Sequence, residues 1–176
     1  MTTDRQTEIR AAQTAEDFEA FARLVTLYVD WCRERYKDMP WLVDMAFGHQ
    51  ALDKELENLS EKFTPPNGKV LLAVDGDSAV GGVAYRAWPD NICEMKRLFV
   101  AKEAAGRGLG RTLCQALIDT ARKDGFHIMR LDTSRDMVEA IGLYRSFGFE
   151  DRAPYIEYPE RLKPMILFME LPLGRN

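Results

Sequence analysis

Histidine and cysteine are scarce in this chain: two histidines (His49, His127) and three cysteines (Cys32, Cys93, Cys114). None of these five residues lies at a metal-ligand spacing, so the sequence offers no zinc site. Three cysteines without a framework pattern read as reduced thiols of a cytoplasmic protein rather than as a disulfide scaffold. Long apolar runs are also missing, and Met1–Ile9 is polar, so neither a signal peptide nor a membrane span is expected. There is no basic run either. Lys and Arg number 24 against 28 Asp and Glu, a net charge of −4, which argues against a nucleic-acid backbone as partner. No repeat, low-complexity tract or linker divides the 176 residues, so one domain over 1–176 is expected.

What is present is ordinary globular composition, 46% hydrophobic and 30% charged, with two kinds of periodicity. Glu8–Ala12 reads as a short strand. Thr14 and Asp17 form a capping-box pair ahead of Phe18, Phe21, Ala22, Val25, Tyr28, Val29 and Cys32 at helical spacing. Met39-Pro40 ends that helix, Trp41–Gly48 carries no pattern, and a second helix is predicted over Gln50–Lys62, stopped by Pro65-Pro66-Asn67-Gly68. The period then changes. Val70–Val74, Ala79–Trp88 and Ile92–Val100 read as strands joined by turns at Asp75-Gly76-Asp77 and Pro89-Asp90-Asn91, an antiparallel meander.

After the third of these strands comes Ala105-Gly-Arg-Gly-Leu-Gly-Arg111, which opens a helix predicted over Arg107–Asp124 with Leu109, Leu113, Leu117 and Ala121 on one stripe. Glycines there allow close approach of a ligand to the backbone, and the first helical turn offers unpaired N–H groups and positive dipole. The combination is a phosphate or pyrophosphate site. A Walker loop would need Gly-Lys-Ser/Thr, and Gly110 is followed by Arg111-Thr112. A dinucleotide fingerprint gains support from Asp132 at the end of the next strand. It would, however, put its third glycine on Arg111 and lengthen the turn by Ala101–Ala105. The rest reads as a strand His127–Asp132, a helix Asp136–Ser146, a strand Gly148–Arg152 and a last strand Pro164–Leu171. The strand–helix–strand crossover implies one parallel pair.

This order of elements, with Ala105-Gly106-Arg107-Gly108-Leu109-Gly110 and Ala140-Ile-Gly-Leu-Tyr-Arg-Ser-Phe-Gly-Phe149, resembles the GNAT superfamily of N-acetyltransferases over about Val70–Leu171. Glu94-Met-Lys-Arg-Leu-Phe-Val100 and Leu131-Asp-Thr133 resemble a bacterial branch of uncharacterised members. The motif's usual first Gln or Arg falls on Ala105, and a frequent Asn on Met137. The resemblance implies an α/β fold, a mixed sheet of about seven strands flanked by helices, with acetyl-CoA as cosubstrate. It implies that backbone groups of Leu98, Phe99 and Val100 hold the pantetheine arm. Amides over Gly106, Arg107, Gly108, Leu109, Gly110 and Arg111 would hold the pyrophosphate. Tyr144 would be the acid that protonates the departing thiolate, whose reference pKa is near ~8.5.

For Glu94 two readings stay open. Some members carry a base there that deprotonates the amine. A three-residue turn at Pro89–Asn91 would instead set Arg86 opposite Glu94 as a cross-strand ion pair, and so weaken it as a base. Lys96 and Arg97 read as solvated or paired charges, with binding of a carboxylate together with Arg86 a weaker alternative. With no Cys or Ser beside a plausible base, direct attack on acetyl-CoA by a primary amine is favoured over a covalent intermediate. The acceptor, a small molecule or a peptide, is not identified by any motif. A homodimer stays open, and so does a non-catalytic acyl-CoA sensor.

Overall fold

The computed structural model describes residues 7–174. Seven strands form one sheet: β1 (Glu8–Ala11), β2 (Gly68–Asp75), β3 (Ser78–Trp88), β4 (Ile92–Val100), β5 (Ile128–Ser134), β6 (Glu150–Arg152) and β7 (Ile166–Pro172). Their spatial order is β1-β2-β3-β4-β5-β7-β6. Only β4 and β5 run parallel, as the crossover through the glycine-loop helix requires. The α/β fold class expected from the sequence is the one observed.

Helices cover both faces of the sheet, which is why β2 is apolar without alternation. Val70 and Leu72 pack on Phe21, Leu24 and Val25 of α1 (Ala15–Arg35). Leu71 and Ala73 face the other way, into a cluster with Leu113 and Leu117 of α5 (Leu109–Lys123). The glycine pair in β3 lets these helices come close. A Cβ on Gly82 would stand 3.0 Å from the Phe21 ring, and one on Gly81 3.1 Å from Leu113. The capping box of α1 is present in both directions. Asp17 also accepts from both Arg10 terminal nitrogens at 2.9 and 2.7 Å. That pairing with Arg10, with further bonds from the Gln13 and Thr14 amides, holds the Asp17 carboxyl well below the usual range.

Two stretches differ from the sequence reading. Trp41–Gly48 is helical, as part of α2 (Pro40–His49): Pro40 is the first helical residue rather than a barrier, where its missing N–H costs nothing. The predicted helix over Gln50–Lys62 is instead two short ones, α3 (Leu52–Glu57) and α4 (Leu59–Lys62), separated by Asn58 at φ −132°. The glycine-loop helix starts at Leu109 rather than Arg107, because Gly106 and Gly108 have φ of 78° and 75°. The remaining helix, α6, spans Val138–Ser146.

A third cluster lies where the ends of these elements meet. Cys32 of α1 and Tyr36 at its C-cap, Leu42 and Val43 of α2, and Tyr158, Leu162 and Phe168 from the last part of the chain pack together. This cluster walls one side of the site described next.

Candidate active site

The site begins with a fault in the sheet. β4 pairs with β5 over Ile92–Glu94 only, and beyond that the two strands are not paired. On its other edge β4 is interrupted as well: Gly82 lies opposite Phe99 but Ala84 lies opposite Lys96, so β4 carries one extra residue there. This is a β-bulge, centred on Arg97, whose φ is +59°. The parting of β4 and β5 leaves backbone groups of Leu98–Val100 without a neighbouring strand on the β5 side, which suits an extended chain added at that edge.

A groove of about 730 Å³ opens along this edge, within the ~300–1,000 Å³ usual for ligand sites. Leu98, Phe99, Val100, Gly110 and Tyr144 are among its walls, and Leu27 and Trp31 of α1 form the opposite rim. Its far end leads to the glycine loop. A Cβ on Gly106, Gly108 or Gly110 would meet nothing within 4 Å, so the space in front of this backbone is open. Among the described residues no side-chain cap bond closes the N-terminus of α5, which leaves the first amides, at Leu109, Gly110 and Arg111, available to a ligand. The Leu109 side chain turns into the core, so this residue can offer a ligand only its backbone. Arg107 reaches Asp75 at 2.8 Å and Thr7 at 2.6 Å, and Arg111 reaches Ser146 at 2.7 Å. Two exposed guanidiniums thus stand at the loop, each held by a neighbour.

A second, smaller cavity of about 120 Å³ adjoins the groove. Tyr28, Leu98, Thr133, Met137 and Tyr144 line both. The cavity's remaining walls include Cys32, Gln50, Lys96, Arg97, Asp132 and Ser134. Tyr144 projects from α6 beside Phe149, with ring centroids 5.8 Å apart. Burial, with smaller contributions from Cys114 and Asp132, pushes its phenol pKa up. It keeps its proton at neutral pH.

Asp132, at the end of β5, accepts from the Tyr158 hydroxyl at 2.5 Å and stands 3.5 Å from Lys96 Nζ. Burial opposes its charge. Lys96, the Tyr158 hydroxyl and Arg97 together outweigh this and hold its carboxyl below the ordinary range. The sequence presented Asp132 only as a candidate ribose-binding acid. Its place between Lys96 and Tyr158 depends on a segment, 153–165, that carries no readable motif.

Glu94 lies apart from both cavities' walls. It is fully buried and faces Arg86 in register, the arrangement the three-residue turn implied. Its Oε1 is 2.8 Å from Arg86 Nε and 3.2 Å from Lys96 Nζ, while Oε2 is buried without a hydrogen-bond partner among the described residues. The ion pair is therefore present, with a second cation the sequence did not reveal.

Comparison with known proteins agrees with this geometry. Residues 29–149 match the model of the acetyltransferase (GNAT) family. An uncharacterized N-acetyltransferase of Schizosaccharomyces pombe is 34% identical over 169 residues, covering 95% of each chain. Among solved structures, the PaiA N-acetyltransferase of Thermoplasma acidophilum, in complex with coenzyme A, aligns with a TM-score of 0.69 at 18% identity. It covers 95% of this chain and 99% of its own. A Salmonella typhimurium protein solved with acetyl-CoA aligns at 0.65 and 20% identity, over 97% and 96% of the two chains. A groove along a parted strand edge, a glycine-rich helix start and a continuous match over most of the sequence lead to one conclusion: the chain belongs to the acetyltransferase (GNAT) family.

Proposed function

We propose that the protein transfers an acetyl group from acetyl-CoA to a primary amine held in the smaller cavity, by direct attack. One observation carries this reading: the groove and the cavity share a wall that contains Tyr144. A thioester lying along β4 would present its carbonyl where the two spaces meet. The amine would arrive from the opposite side. The amides that open α5 and the side chains of Arg107 and Arg111 offer positive charge to a pyrophosphate at the groove's end.

Each protein group then has a restricted task. Tyr144 donates a hydrogen bond to the sulfur as negative charge develops on it. The burial that raises the phenol also raises the pKa of a thiolate in the same place, so proton transfer between them stays near balance. Asp132 supplies the negative charge that receives the acceptor's amino group. Cys32 lines the cavity, but burial pushes its thiol up to about 11, so it is no nucleophile at neutral pH. That favours direct attack over an acyl-cysteine.

Glu94 is assigned to holding Lys96 and Arg86 in place rather than to taking the amine's proton. Glu94→Gln should lower stability by about 3 kcal/mol, the low end for a broken buried pair because Arg86 reaches solvent. The pH–rate profile should keep its shape, with rates within a few-fold of wild type. A hundredfold loss near neutrality that recovers as pH rises would instead make Glu94 the base. Denaturation curves and pH–rate profiles on both proteins distinguish the outcomes.

The test of the function itself is binding followed by turnover. Coenzyme A at a hundredfold its dissociation constant should stabilise the fold by ~2.7 kcal/mol, read as a thermal shift that NAD and ATP do not produce. Acetyl-CoA with an amine panel should then release free thiol. A shift with NAD or ATP alone would overturn the assignment, and binding of coenzyme A without any transfer would leave an acyl-CoA sensor.

A further inference from the structure

The cavity wall contains a buried cation with one donor that the fold leaves unpaired. Arg97 sits on the bulge of β4 with 4% of its side chain exposed. Its Nε donates to Glu55 Oε1 at 2.8 Å and its Nη1 to Gln50 Oε1 at 2.7 Å. Its Nη2 is buried and has no acceptor among the described residues. Leaving a buried donor unpaired is unfavourable, more so on a charged group, and a guanidinium fixed by two of its nitrogens cannot swing away to solvent. The bulge also enforces this placement, since a left-handed φ of 59° is uncommon for a residue other than glycine.

The surrounding ion pairs share their members. Arg97 shares Glu55 with Lys62. Lys96 shares Glu94 with Arg86 and reaches across to Asp132. Four cations thus face three carboxylates in this network, and of these seven groups Lys96, Arg97 and Asp132 line the cavity beside Gln50. Among the described lining residues Asp132 is the one acidic side chain. The cavity is therefore polarised, cationic at Arg97 and anionic at Asp132, and at about 120 Å³ it is small.

We propose that the acceptor is a free amino acid, its carboxylate bound by Arg97 Nη2 and the Gln50 side-chain amide and its amino group directed to Asp132. A planar carboxylate matches the guanidinium better than a single-atom anion would. It would also supply the missing acceptor for Nη2. The confined volume favours the free amino acid over a peptide, whose carboxylate and amine stand further apart. This inference rests on the acetyl-transfer reading above and adds the acceptor's class to it.

The experiment compares matched acceptors on the full chain with saturating acetyl-CoA, reading thiol release. Proteinogenic L-amino acids are each paired with the corresponding carboxamide and decarboxylated amine. At least one amino acid should show a kcat/KM tenfold or more above its carboxamide. Arg97→Gln should bring that ratio close to one, mainly through KM for the amino acid, with coenzyme A affinity unchanged. Arg97→Lys should restore part of the preference. Should the Arg97 variants fail to fold, the wild-type pairs alone decide. Carboxamides or simple amines that match or exceed the amino acids overturn the carboxylate subsite while leaving transfer to amines standing. No transfer to any of the three sets, by protein that binds coenzyme A, removes the subsite and the transfer reading together.

Discussion

Gly108→Val should abolish measurable coenzyme A binding, a loss of at least a hundredfold, while the sheet stays folded. Gly108 has φ +75° and stands immediately before the first turn of α5. A β-branched residue in that conformation carries strain of about 1–3 kcal/mol. Apart from its chain neighbours, no described residue lies within 4 Å of the new Cβ, so the side chain enters open space. That space lies in front of the α5 amides, where a pyrophosphate would approach the backbone. Gly125→Val provides the control. Gly125 has φ +89° with equally open surroundings, but it follows the other end of α5. It should cost similar stability and leave binding intact. Circular dichroism and calorimetric titration on the three proteins separate strain from occlusion. Wild-type affinity in folded Gly108→Val, or equal loss in both variants, would reduce the loop to a turn.

The glycine loop was legible because its signal is local. Positive φ at two glycines and an apolar stripe at helical spacing are properties of some fifteen consecutive residues. The meander was legible for the same reason: short turns fix register, and register alone sets Arg86 opposite Glu94. The cavity was not. Arg97 faces Glu55 and Gln50, more than forty positions away, and Tyr158 reaches Asp132 from a stretch with neither period. One signal was there to be used. Lys96 and Arg97 are adjacent charges in a strand covered on both faces, so simple alternation would bury both of them. The resolution is a bulge together with buried carboxylate partners, and a bulge in the middle of a strand commonly marks a site. The helix over Pro40–His49 was missed through reading Pro40 as a stop when it also serves as a start.

Tyr144→Phe is expected to lower kcat by about a hundredfold and to leave KM for acetyl-CoA nearly unchanged. The substitution removes one oxygen and keeps the ring. Packing on Phe149 and the shared wall of groove and cavity should therefore survive, and the denaturation midpoint should move little. A phenol that contacts the sulfur only as charge builds there contributes to the transition state rather than to the bound thioester, which is why the loss belongs in kcat. The pH dependence gives a second reading. Burial raises the phenol above its ordinary value of about 10, so the proton it donates is still present throughout the range in which an amine acceptor becomes free base. Wild-type rates should accordingly climb with pH without a tyrosine-dependent fall below about 10, and the mutant should run parallel at its lower level. Single-turnover measurements ensure that chemistry, not product release, is being compared. An unchanged single-turnover rate would leave Tyr144 as packing, and a higher KM at constant kcat would make it part of the thioester's binding wall alone.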